Sequence, residues 1–192
     1  MWLMLFITLA TIILQILNIS FIENSLAYHR NLFWEQIPWQ WISPSLIHLN
    51  WNHWLLNILN LYAAIILFSQ VWSSKKLIYF FSLASLFILL SLHYFSTDIK
   101  EYAGMSGVLY AIITYGAVKS YTHQKIISLL LIGFIILKLF FDEKVNSFLG
   151  INNMLEDIYI VTDVHWYGVG FALLFLLFER IVLKYYNLTY FK

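Results

Sequence analysis

Apolar runs of membrane-crossing length recur along this chain, with little polar sequence between them. They cover about Trp2–Ile22, His53–Trp72, Leu77–Phe95, Ala103–Tyr121, Ile126–Phe141 and Val164–Leu183, each near the roughly 20 helical residues that traverse the hydrocarbon of a bilayer. Lipid offers no partners to backbone N–H and C=O groups, so such runs satisfy their own as helices. The expected fold is all-α, a polytopic membrane protein of six spans forming one domain over residues 1–192. Only 11% of the chain is charged and 61% is hydrophobic, too little polar surface for a soluble domain of this size. The first run has neither a basic n-region nor a small-residue cleavage site, so it reads as a retained span rather than a signal peptide.

The charges are sorted. Lys75 and Lys76, then Lys119 and Lys125, then Lys184 and Lys192 fall on one side if the spans alternate, and the positive-inside rule makes that side cytoplasmic. Glu23, Glu35, Asp98, Glu101, Asp142, Glu143, Glu156, Asp157 and Asp163 collect on the other. Both termini are therefore expected in the cytoplasm. A net charge of +1 with no basic run leaves no footprint for nucleic acid. The lack of cysteine excludes disulfides, thiol nucleophiles and Cys-ligated metals. Residues 23–52 form a connection too long for a simple hairpin, rich in Trp34, Trp39, Trp41 and Trp51 and holding both prolines, Pro38 and Pro44. Tryptophan favours the headgroup region, so this loop is expected to be ordered in the outer interface.

Polar side chains within spans are costly, so each asks for a reason. His53 and Asn57 stand four apart at the start of the second span, on one helix face, with His48 just before. The fourth opens with Gly104-Met-Ser106-Gly107 and places Tyr110 on the same face as Ser106. The sixth opens with His165, followed by Gly168 and Ala172, small residues that allow close helix packing. The second, fourth and sixth spans all start on the outer side, so these groups share one depth. A serine, two histidines and an asparagine there provide a nucleophile, a general base and oxyanion donors, the parts needed for acyl transfer.

Each element alone has a plainer reading. A G-x-S-G at a helix start is more often a packing motif. His48 reads more readily as a structural loop anchor. Asp163 stands two residues before His165 and cannot share its face, so it reads as an interfacial acid. Tyr62, Lys138 and Glu179 lie off the cluster and are assigned to snorkelling or interfacial placement.

Taken together and in order, His53-x-x-x-Asn57, Gly104-x-Ser106-Gly107 and His165 resemble the rhomboid family of intramembrane serine proteases, whose six-helix core carries these motifs on its second, fourth and sixth helices. The resemblance covers nearly the whole chain. It implies that Ser106 is the nucleophile and His165 its base in a Ser-His dyad, and that His53, Asn57 and the Ser106 backbone N–H form the oxyanion hole. Tyr110 matches the tyrosine that packs on the catalytic histidine, Gly104 begins the serine motif, and His48 matches a first-loop histidine. The implied partners are transmembrane-helix protein substrates and membrane lipid, with no cofactor and no metal. The short chain and the stretch from Leu46 to Asn57 look like the rhombosortase branch, which processes proteins ending in a Gly-Gly motif, a transmembrane helix and a basic tail. The minimal core is similar to bacterial forms, which implies the inner membrane of a bacterium with the site opening outward. The chain departs from the family at Trp39-Gln40, where Trp-Arg is frequent, and at Ala172, where a second glycine is usual.

The competing reading is an inactive rhomboid-like protein that binds transmembrane helices, although such relatives usually lose the dyad. A transporter or channel would carry mid-membrane ionisable groups or an internal repeat, which are not evident. A membrane metalloprotease would need H-E-x-x-H, which is absent.

Overall fold

The computed structural model describes residues 2–17, 26–35, 38–148 and 161–190. Among these, helices form in all six apolar runs: α1 (Trp2–Leu17), α2 (Trp51–Leu67), α3 (Ser74–Phe95), α4 (Ser106–Lys119), α5 (Lys125–Phe148) and α6 (Asp163–Tyr190). The expected end of the first span at residues 18–22, together with Glu23, Glu156, Asp157 and Lys192, lies outside the described residues. By length and apolarity, Ser74–Phe95 and Asp163–Tyr185 suffice to cross a bilayer, and Met4–Ile16 is a shorter apolar helix. The fourth helix begins three residues later than expected. Gly104 adopts φ +143°, which no helix tolerates, so the chain from Glu101 is a strand and a turn before it coils at Ser106.

α4 is the hub and touches α2, α3, α5 and α6. Its residues are buried around its whole circumference, from Gly107, Val108 and Leu109 through Ala111, Ile112 and Tyr115 to Ala117. That all-round apolarity is what a central helix requires. At the lysine-bearing end, Glu179 of α6 meets Lys119 at 2.9 Å and Lys76 at 3.5 Å and accepts a hydrogen bond from Tyr115 at 2.7 Å, joining α3, α4 and α6. Glu179 is thus structural through ion pairing rather than through snorkelling. Tyr62 meets Thr8 at 3.1 Å, and Trp54 donates to Thr11 at 3.0 Å, so α1 is held to α2 by polar contacts.

The tryptophan-rich connection is ordered where it is described. Tyr28 and His29 (β1) pair antiparallel with Tyr102 and Glu101 (β2), and 3-10 turns follow over Arg30–Glu35, Pro38–Trp41 and Ser43–Ser45. Arg30 clamps this loop to the end of α3. Its guanidinium donates to the carbonyls of Leu92 and His93 at 2.7 Å, Ser96 at 2.6 Å and Ile99 at 2.8 Å. Leu92 and His93 lie in the last turn of α3 and Ser96 and Ile99 in the turn beyond it, so a cation sits at the helix C-terminus, where the dipole favours it. Phe33 stacks on His93 at 3.7 Å and meets Trp41 edge-on at 4.8 Å. Trp34, Trp39 and Trp51 remain exposed.

His48, read from sequence as a loop anchor, has no solvent exposure. Burial first, and then the neighbouring His53, lower its pKa to about 3, against a small opposing contribution from a hydrogen bond with the Leu46 backbone. The fold therefore holds it neutral, whereas an unfolded chain protonates it below about 6.5. The unfolded state binds more protons in that interval, so stability declines as pH falls from about 6.5 towards 3. Unfolding measured across this range is expected to show that decline, with a shallower slope for His48→Gln; equal slopes would remove His48 as the cause. Replacing Arg30 with Ala strips four carbonyls of a charged donor and is expected to lower stability by roughly 2–3 kcal/mol, with Arg30→Lys recovering only part, as read from thermal unfolding in detergent.

Candidate active site

The turn entering α4 is built around Gly104. Its N–H donates to the Pro44 carbonyl at 2.8 Å, and its own carbonyl accepts from the Tyr102 hydroxyl at 2.5 Å. A Cβ placed on Gly104 would come to 2.9 Å from Cε1 of His53, so the imidazole packs directly on this turn. Positive φ and the absence of a side chain are both needed there. Burial pushes the Tyr102 phenol above its usual range, opposed by hydrogen bonding with Gly107 and Ser106, so it stays protonated and able to hold Gly104. Nothing in the sequence singles out Tyr102 beyond its place two residues before Gly104.

Ser106 is the first residue of α4, where backbone N–H groups have no acceptor within the helix. The dipole at such a terminus favours negative charge. His165 lies in the first turn of α6, and its Nε2 is 3.1 Å from Ser106 Oγ. The Tyr110 ring, one turn along α4, stacks on the His165 ring with centroids 4.2 Å apart and planes within 13°. Behind the pair, Gly107 and Gly168 let the two helices meet. A Cβ on Gly168 would run into the Gly107 carbonyl, and one on Gly107 would lie 2.8 Å from the Val164 carbonyl.

His53 and Asn57 occupy the first two turns of α2. The Asn50 side chain caps this helix by accepting from the His53 N–H at 2.7 Å, while Asn57 is buried and donates from Nδ2 to the His53 carbonyl at 2.9 Å. Asn57 keeps a second N–H on the same nitrogen. His48 stands behind His53, with ring centroids 5.3 Å apart, and so supports the site from the loop. The structure thus brings Ser106, His165 and Tyr110 together, sets His53 beside the serine turn, and leaves His48 as packing.

Two assignments change. Asp163 is not simply an interfacial acid: Ser96 donates to its carboxylate at 2.5 Å and also meets the Tyr167 hydroxyl at 2.7 Å. This ties the end of α3 to the start of α6, two residues from His165 on either side. Lys138 does not snorkel away from the cluster either. It is ion-paired with Asp142, and both charges act on His165. The sequence cue was their spacing of four within an apolar run, but the second carboxylate was counted only as an outer-side charge.

No curated protein matches the chain significantly. The family model described as the Rhomboid domain matches residues 35–180, a stretch that contains every site residue described above. The chain is an integral membrane protein and belongs to the rhomboid family of intramembrane serine proteases.

Proposed function

We propose that this rhomboid is an active serine endopeptidase that cleaves membrane-anchored proteins with Ser106 and His165. The observation that carries the reading is the 3.1 Å contact between Ser106 Oγ and His165 Nε2, beneath the stacked Tyr110 ring. A serine hydroxyl needs a base within hydrogen-bond reach to become a nucleophile. As Oγ attacks the substrate carbonyl carbon, its proton passes to Nε2. The oxyanion is met by the Ser106 backbone N–H, by the Asn57 amide and by His53, and the helix terminus adds favourable potential. His165 then protonates the leaving amine. Water, deprotonated by the same imidazole, releases the acyl group and regenerates Ser106.

In this reading the six helices cross the membrane in alternation, both termini lie in the cytoplasm, and the site opens to the outer side of a bacterial inner membrane. The lysines near Glu179 support that orientation through the positive-inside bias. The substrates are proteins whose transmembrane helix unwinds at the outer surface. The Leu46–Asn57 stretch favours those ending in Gly-Gly, a helix and a basic tail, as in the rhombosortase branch.

Co-expression with a tagged substrate of that design tests the proposal. The parent is expected to shorten it, while Ser106→Ala and His165→Ala lose about a thousandfold or more in rate yet still co-purify with it. Equal cleavage by parent and variants would contradict the dyad. Binding without cleavage by all three would favour the inactive helix-binding alternative.

A further inference from the structure

α5 brings to the dyad an ion pair that the hydrolytic scheme leaves unused. Lys138 and Asp142 stand four residues apart on α5. Nζ contacts Oδ1 at 2.5 Å, with 12% and 9% of the two side chains exposed. Withdrawing two opposite charges from water costs several kcal/mol per ion, and apolar residues of similar size often serve stability as well or better. In a chain surrounded by hydrocarbon the cost of such a pair is higher still, and such groups by default mark function.

The position of the pair says what it faces. Phe140, between the two charges, meets Trp166 edge-on at 5.1 Å, and Trp166 is the residue after His165. Phe141 leaves helical geometry, with φ −131° and ψ 33°, so the ion pair bridges a break in α5 and fixes where Asp142 is held. The Phe140–Trp166 contact thus sets this end of α5 beside the start of α6, where the Asp142 charge bears on the stacked His165–Tyr110 pair and is partly offset at His165 by Lys138. The other groups around His165 are Ser106 and Tyr110 from α4, His53 from α2 and Lys138 from α5. Asp163, on α6 itself, is engaged by Ser96. Among the described residues, Asp142 is the negative charge that acts on His165 from a neighbouring helix.

We infer that Asp142 is a positioning residue for the proposed hydrolysis, its carboxylate stabilising the imidazolium that His165 becomes while Lys138 anchors it across the break in α5. The inference rests on the Ser106–His165 reading. When Ser106 attacks, its proton moves to Nε2 and a positive charge appears on a ring stacked against neutral Tyr110. A fixed carboxylate nearby lowers the energy of that state relative to the resting one, which is the condition for acceleration. No proton reaches Asp142, which acts through its charge.

Four forms of the full chain, in detergent, test this: the parent, Asp142→Asn, Lys138→Met and the exchanged pair Lys138→Asp with Asp142→Lys. Each is read for thermal midpoint, for kcat and KM on a transmembrane-helix substrate, and for the rate at which a fluorophosphonate labels Ser106. Asp142→Asn is expected to lose about tenfold in kcat and in labelling rate with KM within about twofold, since one neighbouring charge in a site shielded from water is worth about that factor. Lys138→Met leaves the carboxylate without its anchor and is expected to lower the thermal midpoint and to lose part of kcat, less than Asp142→Asn does. The exchanged pair is expected to recover the thermal midpoint lost in either single variant but not kcat, because the negative charge then sits one turn away. Recovery of kcat by the exchange, or an Asp142→Asn enzyme with parental kcat, would reduce the pair to a structural bridge and overturn the inference while leaving the dyad intact. A parent that neither cleaves nor labels would overturn both.

Discussion

The approach of α4 to α6 at Gly107 and Gly168 sets the geometry on which the site depends. Interaxial separations in helical bundles follow the side chains at the contact, and here neither crossing residue has one. A methyl group on Gly168 would collide with the Gly107 carbonyl. Because Ser106 immediately precedes Gly107 and His165 lies three residues before Gly168, the backbone contact fixes the first turns of the two helices against each other. The 3.1 Å approach of Oγ to Nε2 and the stacking of Tyr110 follow from it. In lipid, where hydrophobic burial gives no preference for helix over solvent, close packing of small residues is a main source of such association.

The remaining structure keeps that crossing in register from both ends. At one end, Glu179 gathers Lys76, Lys119 and Tyr115 from two neighbouring helices. At the other, Arg30 closes the carbonyls of α3, and Ser96 at the same terminus reaches Asp163 on α6. The first loop also acts on the serine turn directly, through the Pro44 carbonyl and the Gly104 N–H. A nucleophile at the start of a helix is only as well placed as the turn leading into it. Here Tyr102, Pro44 and His53 hold that turn from three directions.

Residues whose chemistry conflicts with an apolar segment were legible in the sequence. Ser106, His165, His53 and Asn57 stand out because hydrocarbon gives a polar group no reason to be there, and the expected alternation of the spans places them at one level. Gly168 was legible as a close-packing position for the same reason. What escaped is chemistry that needs distance information. Arg30 looked like one cation in a long loop, and nothing local reveals that it faces carbonyls more than sixty residues away. Tyr102 is one of 13 tyrosines, and its role depends on the left-handed turn at Gly104. The sequence neighbours of Asp163 and Lys138 do not reveal their partners, which are Ser96 just past the end of α3 and Asp142 across a helix break. The helix starts shifted where a backbone conformation intervened, most clearly at residues 103–105.

The central claim is that Ser106 is an activated nucleophile and that His165 activates it. Reaction of the detergent-purified chain with a fluorophosphonate, followed by mass-spectrometric location of the adduct, tests this without any assumption about the natural substrate. The account predicts a single adduct on Ser106 in the parent and labelling at least about a hundredfold slower in a folded His165→Ala variant, the loss expected when general-base assistance is removed. Labelling of Ser106 at the same rate in both, or an adduct on another residue, would contradict it.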